Sequence, residues 1–493
     1  MMNVYRKPAF ADSTGDAIPF YHDGKYHLFT LTPPPGTTVY PARLRTTWEH
    51  AVSDDLVHWQ QLPTALYPSD DESAPDASGI WTGSVIYGEG KYHAFYTGYS
   101  LKVRFQQTIC HATSDDGIHW VKDPANPVIT PIVELYEELD WRDPYVFYNE
   151  DEGLYWILIS ARHKEGAPNR RGTVILFRSK DLVNWEHYGD IYAAGHTNCP
   201  ECPEMYKMGD KWYLSYSRFS EFVNTIYRVS DSPYGPWKTP KNDGVGGRRF
   251  YAAKSMADDS GRRFYFAWAH DRAERSDYGE WYWGGAFCIP HEVRQNSDGE
   301  LDVMLPEEYR RVISSPVDYK IITGMGSVDV GNNSVCADAA GHCAYGFFDM
   351  GENKSAMLSC NIKINSVYDY FGLLLKSDAD ASVCAELRFE PAYGRVALYS
   401  LPMAVDPFWQ QSCQAIPKPT DPGPDGVRVA EKPLTFAAGD TLSVEVVIDD
   451  DMMEIFVDNR VAFTYRIYRD VDYNFGYIVQ DASVEYTDIK ITE

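Results

Sequence analysis

The chain has 493 residues, which is long for one domain, so two or three domains are expected. It carries 45 Lys and Arg residues against 71 Asp and Glu residues, a formal net charge of −26. A field of this sign repels the phosphates of nucleic acid and anionic lipid, so we expect neither as a partner. No apolar run approaches the roughly 20 residues that span a bilayer, and residues 1–8 lack the apolar segment of a signal peptide.

The nine cysteines are scattered through the chain. Their odd number favours free thiols in a reducing compartment over a disulfide framework, so we expect a cytoplasmic protein. Cys199 and Cys202 form one C-x-x-C motif, for which a zinc or redox role is the alternative. No second pair accompanies it, as a zinc site of this kind would need.

A repeated turn runs through the first two thirds of the chain. It begins with Ser, contains Asp and ends at Trp, and its copies are Ser53–Trp59, Ser114–Trp120, Ser179–Trp185 and, more loosely, Ser230–Trp237. A turn and an aromatic-rich strand precede each copy, and the strands begin at Lys25, Lys91, Leu154 and Lys211, with a fifth at Arg262. Five such all-β units predict a five-bladed β-propeller of four-stranded blades over residues 1–316.

The repeat ends after about Pro316, and other strand patterns follow. Runs such as Phe371–Leu375 and Leu442–Asp449 predict a second all-β domain, a C-terminal β-sandwich, over residues 317–493. The Pro-rich residues 414–427 are expected to form a loop. We expect no catalytic residue in this domain, and the acids Asp449, Asp450, Asp451 and Glu454 are interpreted as a solvated hairpin turn.

Carboxylates recur at one register of the predicted blades. Counting back eight residues from the turn glycine of a blade reaches Asp16, Thr82 and Glu201, and ten residues in the third blade, whose turn is longer, reach Asp143. The innermost strands of a propeller converge, so these side chains should meet at one end of its axis. Hydrolysis of a glycosidic bond needs such a pair of carboxyl groups, one ionised and one protonated. The alternative is that these acids cap turns or pair with basic residues.

Several motifs occur in the order of a known family: Trp81-Thr82-Gly83-Ser84, Trp141-Arg142-Asp143-Pro144 and Glu201-Cys202-Pro203, then Asp451–Asp458 and Ala462–Thr464 near the C-terminus. The chain resembles glycoside hydrolase family 32, the invertase, levanase and inulinase group. The resemblance implies retaining hydrolysis of β-fructofuranosides. It implies that Glu201 is the general acid/base, that Asp143 stabilises the transition state, and that a nucleophile lies in the first blade.

The first blade departs from the family's motif. Strict alignment places Gly15 at the nucleophile position, and the spacing of Asp16 is closer to family 43, whose arabinofuranosidases and xylosidases invert. Asp16 is chosen as the carboxylate from the blade register, with Asp12 as the alternative. The family's Gln in the following strand is Leu31 here. Asp16 is expected to be ionised with help from turn backbone N–H groups and Arg142, and Glu201 to have a raised pKa.

Five residues near the motifs are predicted to bind substrate: Arg142, Trp48, Trp81, Thr82 and Trp141. For each Trp, packing between blades is the alternative. No cofactor or metal is expected. The partner should be a small-molecule or oligosaccharide substrate, and the oligomeric state is left open.

Three functions follow from these observations. The first is an exo-acting β-fructofuranosidase acting on sucrose or fructan-type oligosaccharides. The second is an arabinofuranosidase- or xylosidase-type hydrolase on the same fold. The third is an inactive carbohydrate-binding propeller.

Overall fold

The computed structural model describes residues 2, 4–220, 222–353, 355–402 and 425–493. The chain divides into two compact units. The first comprises Val4–Asp271 and Trp281–Glu308, and the second comprises Arg272–Glu280 and Tyr309–Glu493 together with Met2. Within the described residues, no helix is long and apolar enough to cross a membrane.

The first unit is a ring of five antiparallel sheets, the predicted propeller. The first blade contains β1 (Ala17–His22), β2 (Lys25–Thr32), β3 (Thr47–Ser53) and β4 (Trp59–Leu66). The second contains β5 (Gly79–Gly88), β6 (Lys91–Tyr99), β7 (Gln107–Ser114) and β8 (Val121–Lys122). The third contains β9 (Arg142–Asn149), β10 (Leu154–Arg162), β11 (Gly172–Ser179) and β12 (Glu186–Tyr192).

The last two blades depart from the expected four strands. The fourth contains β13 (Glu201–Met208), β14 (Lys211–Arg218) and β15 (Asn224–Ser230). Isolated bridges that pair Val229 with Lys238 and Ile226 with Gly244 stand in place of a fourth strand, because three prolines between residues 231 and 240 cannot donate ladder hydrogen bonds. The fifth has five strands: β16 (Tyr251–Ala257), β17 (Arg263–Arg272), β18 (Trp281–Phe287), β19 (His291–Gln295) and β20 (Leu301–Met304).

The repeated turn has a clear physical basis. In the second blade, one carboxylate oxygen of Asp116 accepts hydrogen bonds from the backbone N–H groups of His119 and Ile118, both at 2.8 Å. These bonds, with that of His119 first, hold the pKa of Asp116 well below its usual range. Asp55 and Asp181 accept the equivalent bonds in their own turns.

The Trp that ends each turn packs against the preceding blade. Trp120 meets Phe29 of the first blade edge-on at 5.8 Å between ring centroids, and Trp185 meets Phe95 of the second at 5.3 Å. Trp59 meets Phe266 of the fifth blade in the same way at 6.0 Å, which closes the ring. Each copy of the sequence repeat therefore corresponds to one packing contact between successive blades.

The described residues of the second unit form twelve strands in two layers. The strands are β21 (Lys320–Met325), β22 (Val328–Val330), β23 (Val335–Asp338), β24 (Cys343–Asp349), β25 (Ser355–Ser377), β26 (Ala385–Glu390), β27 (Arg395–Ser400), β28 (Arg428–Pro433), β29 (Thr441–Asp449), β30 (Met452–Val457), β31 (Val461–Arg466) and β32 (Tyr473–Thr492). The long strands β25 and β32 pair along most of their length. The first part of β25 pairs with β29 and its last part with β26, so both layers share these two strands.

Bulges in the β25–β32 ladder, between Ser359 and Tyr370, let the two strands bend from one layer into the other. One hydrophobic core joins side chains of both layers, including Leu358, Leu373 and Val446. Helical structure is brief: α1 (Glu307–Val312) and 3-10 turns at Ala42–Leu44, Pro168–Arg170, Ala273–Arg275 and Pro391–Tyr393.

The division into units differs from the predicted boundary after residue 316. Ser315 exchanges two backbone hydrogen bonds with Glu493, and the Val317 N–H donates to the backbone oxygen of Ile491 near the end of β32. The residues from Tyr309 onward therefore already belong to the second unit. Of the loop predicted at 414–427, residues 414–424 lie outside the described residues, and 425–427 precede β28.

The acidic β29–β30 hairpin is not the solvated turn that the sequence suggested. Asp449, Asp451 and Glu454 are buried, and Asp450 alone has an exposed side chain. Arg466 forms two parallel hydrogen bonds of 3.0 Å to the carboxylate of Asp451. A bidentate guanidinium stabilises a buried carboxylate, which hydropathy alone does not reveal.

The inter-blade contact gives a stability prediction. Trp185→Ala should lower the free energy of unfolding by about 2 kcal/mol, because it removes a large half-buried ring from the core between the second and third blades. Calorimetric unfolding measures this change. The control is Val183→Ala on the same turn, whose side chain is exposed and whose effect should stay within about 0.5 kcal/mol. Equal shifts for the two variants would contradict the packing role of Trp185.

Candidate active site

A cavity of about 300 Å³ opens where the innermost strands of the blades begin. Its lining brings together residues of all five blades: Asp16, Leu31, Tyr40, Leu44, Trp81, Thr82, Gln107, Asp140, Arg142, Asp143, Glu201, Cys202, Tyr251 and Trp283. The four residues predicted from the blade register, which are Asp16, Thr82, Asp143 and Glu201, all lie here. The register of these four residues in the predicted blades therefore indicated the position of the cavity.

The innermost strands of four blades carry a β-bulge at the same place. Two residues of the inner strand face one residue of its neighbour at Trp81–Thr82, Asp143–Pro144, Cys202–Pro203 and Ala252–Ala253. Asp143, Cys202 and Ala252 adopt left-handed backbone conformations, with φ of 59°, 50° and 51°. Such conformations are uncommon without glycine and concentrate at functional sites, where a bulge re-aims side chains.

Asp16 is buried and held by donors from other blades. Trp268 Nε1 donates to its Oδ1 at 2.7 Å, and Thr82 Oγ1 donates to its Oδ2. Burial first and the nearby Asp143 second raise the pKa of Asp16 to about 7, against the lowering effect of both hydrogen bonds. We expected Arg142 to keep Asp16 ionised, and this is wrong because that guanidinium contacts other groups.

Asp12, the alternative carboxylate of the first blade, lies outside the cavity. Its side chain is exposed and accepts a hydrogen bond of 2.6 Å from the backbone N–H of Gly36. Gly15, the family's nucleophile position by strict alignment, cannot carry a side chain in this structure. A Cβ there would lie 2.4 Å from the ring of Trp283, which packs directly against the glycine. Asp16 is the one first-blade carboxylate in the cavity lining.

Asp143 lies beside Asp16 and is also buried. Its Oδ2 accepts a hydrogen bond of 2.9 Å from the backbone N–H of Cys202. The thiol of Cys202 lies 3.6 Å from Asp16 Oδ2 and 3.7 Å from Asp143 Oδ2, between the two carboxylates. The two carboxyl groups therefore face the same small space, which is the arrangement that a substrate hydroxyl would bridge.

Glu201 is bound by a cation and a phenol. Arg142 Nη2 donates to its Oε1 at 2.8 Å, and Tyr251 Oη donates to its Oε2. Burial raises the pKa of Glu201, and although Arg142 opposes this effect, the pKa stays above its ordinary value. The pKa of Glu201 therefore shifts in the expected direction. Arg142 orients Glu201 and not Asp143, because the Nε of Arg142 lies 3.8 Å from the Oδ2 of Asp143.

Glu204, in the same strand, is the other acid of the Glu-Cys-Pro-Glu run. It is fully buried and accepts hydrogen bonds from the backbone N–H of Ser255, at 2.6 Å, and from the Ser255 hydroxyl. Arg263 lies 3.6 Å away. Glu204 is absent from the cavity lining, so its contacts are those of a structural residue that joins the fourth and fifth blades.

The predicted substrate-binding residues divide into two groups. Arg142, Trp81 and Thr82 line the cavity. Trp48 and Trp141 do not, and the prediction for them is corrected because both rings are fully buried between blades. Trp48 packs against Phe29 and Tyr96, and Trp141 against Phe177 and Tyr136, so each fills a hydrophobic core.

Sequence reasoning missed several residues of the site. Trp268 and Tyr251 bind the carboxylates, yet they come from the fifth blade, which lacks the Ser-Asp-Trp turn used to align the others. Trp283 belongs to the extra strand of that blade. Trp268 stands at the end of the fifth aromatic strand predicted from the repeat. This position is the one sequence signal from which its place in the site could have been predicted.

The cysteines of the C-x-x-C motif have separate surroundings. Cys202 lies between the carboxylates, and Cys199 contacts Ser160 Oγ at 3.1 Å and Arg142 Nη2 at 3.5 Å. Both are free thiols. Among the described residues, no cluster of His, Cys, Asp and Glu has the arrangement to hold a metal ion.

Carboxyl groups from three blades meet at the mouth of a five-bladed propeller, and such groups are what a glycoside hydrolase requires. A profile described as "Glycosyl hydrolases family 32 N-terminal domain" matches residues 16–304, and the chain belongs to this family. This match assigns the chain to family 32 and not to family 43, which was the alternative suggested by the spacing of Asp16.

Relatives of known name agree with the family. The chain is 26% identical to a pea (Pisum sativum) β-fructofuranosidase, cell wall isozyme, over 91% of this chain and 85% of the relative. It is 27% identical to sucrose-6-phosphate hydrolase of Escherichia coli, over 57% of this chain and 59% of that protein's length. The structure of fructan 1-exohydrolase IIa from Cichorium intybus has the same fold, with a TM-score of 0.74, 20% identity and coverage of 99% and 96% of the two chains.

The raised pKa of Asp16 predicts a cost to stability. Between the unfolded pKa of about 3.9 and the folded pKa of about 7, the folded state binds more protons, so the free energy of unfolding falls as pH rises through this window. Asp16→Asn cannot ionise and should be more stable than the natural chain by about 4 kcal/mol at pH 8. Its amide can still accept from Trp268 and donate to the Thr82 hydroxyl.

Denaturation midpoints between pH 4 and pH 8 measure this difference, which should disappear near pH 4. Asp12→Asn, a change at an exposed carboxylate of the same segment, is the control and should follow the natural chain throughout. A gain for Asp16→Asn that is independent of pH would show that the buried charge of Asp16 is not its source.

Proposed function

We propose that the protein hydrolyses terminal β-fructofuranosides of neutral oligosaccharides, with Asp16, Asp143 and Glu201 as its catalytic carboxylates. The observation that carries the proposal is the convergence of these three acids, from three different blades, in one cavity, where Asp16 and Asp143 are buried and Glu201 is partly exposed. The family and the names of the relatives support fructose as the sugar. The cavity of about 300 Å³ suits one sugar ring, which supports attack at a chain end.

In this proposal the hydrolysis retains the anomeric configuration. Asp16 attacks the anomeric carbon of the fructosyl unit, and Glu201 protonates the departing glycosidic oxygen. A covalent fructosyl-enzyme results, and Glu201, now ionised, takes a proton from the water that cleaves it. Asp143 accepts hydrogen bonds from sugar hydroxyls, which strengthen as positive charge develops on the ring.

The contacts of the site support this division of roles. Burial and the nearby Asp143 carboxylate raise the pKa of both Asp16 and Glu201, which favours one proton shared between these two acids near neutral pH. Thr82 and Trp268 donate only to Asp16, and these bonds favour its ionised form. Arg142 and Tyr251 hold Glu201 in place, and Arg142 stabilises the charge that Glu201 acquires after it has given up its proton.

The lining of the cavity favours a neutral substrate over a phosphorylated one. Among the described residues that line it, Arg142 is the one cation, against the four carboxylates of Asp16, Asp140, Asp143 and Glu201. Its donors already bind Glu201, Asp140 and Gln107. A phosphate would meet these carboxylates without a free cation to pair with, which argues against the substrate named for the Escherichia coli relative.

A cytoplasmic location remains part of the proposal. The support is that the eight cysteines among the described residues are free thiols, as expected in a reducing compartment.

A hydrolysis screen tests the proposed function. Sucrose and inulin-type oligosaccharides should release fructose, while sucrose 6-phosphate, arabinan and xylan oligomers should react far more slowly. NMR of the first product formed should show the β-anomer of fructose, as retention requires. Release of the α-anomer, or binding of sucrose without turnover, would contradict the proposal and favour an inverting enzyme or an inactive carbohydrate-binding propeller respectively.

The role of Glu201 predicts a dependence on the leaving group. Glu201→Gln should lower the rate on sucrose by about 10²–10⁴, because the sugar leaving group needs protonation. An activated aryl fructoside needs little acid assistance, so the loss at its first step should be much smaller. The natural chain should show a bell-shaped pH profile, and its basic limb should be absent in Glu201→Gln. Steady-state and pre-steady-state kinetics on both substrates measure these effects.

Glu204→Gln is the matched control, since it is the same change three residues along the strand, outside the cavity lining. It should alter stability and leave the ratio of the two rates near that of the natural chain. If Glu204→Gln showed the leaving-group dependence and Glu201→Gln did not, the acid would have been assigned to the wrong glutamate.

A further inference from the structure

The second unit contains a cavity of its own, with a volume of about 330 Å³. It lies among the segment that follows β24, the end of β25, the β29–β30 turn and the residues between β31 and β32. The lining is Phe348, Met350, Gly351, Glu352, Asn353, Lys376, Asp450, Tyr468, Arg469, Asp470, Val471, Asp472, Tyr473 and Asn474. The proposed hydrolysis uses none of these residues.

Arg469 contributes a guanidinium that the protein does not satisfy. Its Nη1 lies 3.3 Å from Asp277 Oδ2, whereas Nε and Nη2 are buried and have no hydrogen-bond partner among the described residues. Nε and Nη2 form one edge of the guanidinium, which is the edge that binds two neighbouring oxygen atoms in parallel. Leaving such donors buried and unpaired is costly, so this edge indicates a site for a ligand with adjacent oxygens.

Lys376 brings a second cation to the same cavity. It is 7% exposed, and its Nζ donates to the backbone oxygen of Asp450 at 2.7 Å. An ammonium group carries three N–H donors, so this bond leaves capacity for a ligand. Burial lowers the pKa of Lys376, which fits a group shielded from bulk water.

The charge balance of the lining decides between an anionic and a neutral ligand. The two cations, Lys376 and Arg469, face four carboxylates, those of Glu352, Asp450, Asp470 and Asp472. A net negative lining opposes a phosphate or carboxylate ligand. Hydroxyl groups both accept and donate, so vicinal hydroxyls can accept from the guanidinium edge and donate to carboxylates. The rings of Tyr468 and Tyr473 supply apolar surface beside these polar groups, as in sites for sugars.

We propose that this cavity is a second saccharide-binding site, which takes one neutral sugar unit through vicinal hydroxyls on Arg469. The choice of a sugar rests in part on the proposed function, because the enzyme would meet oligosaccharides at high concentration. The proposed role of this site is binding alone, because none of the three proposed catalytic acids belongs to its lining.

Equilibrium dialysis with labelled 1-kestose tests the proposal on the full chain carrying Glu201→Gln, which cannot consume this trisaccharide efficiently. Two bound molecules per chain are expected. Adding Arg469→Gln should reduce this number to one. Adding Arg460→Gln, a half-exposed arginine outside the cavity, should leave it at two. In the active enzyme, Arg469→Gln should leave kcat/KM for sucrose within about twofold of the natural value.

Lys376→Met provides a second variant, because it keeps most of the side-chain volume and removes the donors. It should weaken binding at the second site at least tenfold even if Arg469→Gln does not fold. One bound molecule per chain in the Glu201→Gln protein would overturn the proposal, as would displacement of the second molecule by millimolar inorganic phosphate, which would show an anion site. Failure of the proposed function is separate, since it would appear as absent turnover of fructosides by the natural chain whatever the number of sites.

Discussion

The packing of three mutually repelling carboxyl groups into one small space, with Asp16 and Asp143 buried, is the constraint on which the first unit depends. Each carboxyl group accepts hydrogen bonds from donors of other blades. Asp16 accepts from Thr82 and Trp268, and Asp143 accepts from the backbone N–H of Cys202. Glu201 accepts from Arg142 and Tyr251. No blade satisfies its own acid. The site therefore exists only when the ring is closed, and the fifth blade, which contributes Trp268 and Tyr251, completes it.

Closing the ring against this repulsion requires favourable contacts elsewhere. The Trp of each repeated turn supplies them, because it packs against an aromatic strand of the preceding blade, and Trp59 does so across the junction of the first and fifth blades. The bulges at Asp143 and Cys202 add strained backbone at the mouth of the cavity. Stability is thus concentrated in the contacts between blades, and strain and unfavourable charge in the cavity that they surround.

The second unit shows a similar separation between a packed core and a polar margin. Strands β25 and β32 run through both layers and enclose one hydrophobic core. The polar cavity lies where turns and strand ends meet beside that core, and there the Nε and Nη2 atoms of Arg469 and the side chain of Lys376 are buried among acids. Asp451 shows what a satisfied pair looks like in this unit, since Arg466 binds it with two hydrogen bonds. Arg469, in contrast, has an unpaired guanidinium edge. This difference distinguishes a ligand site from a structural ion pair.

The sequence by itself determined the blade repeat, the all-β class of both units and the register of the carboxylates. These features depend on local patterns: a Ser-Asp turn bound by its own backbone, alternating aromatic strands, and a nearly constant distance from turn to cavity, which the shared bulges preserve. Only the tertiary structure decided that Trp48 and Trp141 fill cores while Trp81 lines the cavity, that Arg142 binds Glu201, and that Asp451 and Glu454 are buried. Those outcomes depend on which residues of distant strands meet across a blade interface or a layer. The residues next to a side chain in the sequence do not reveal which distant residues it will contact. These distant contacts also set the pKa of a buried carboxylate.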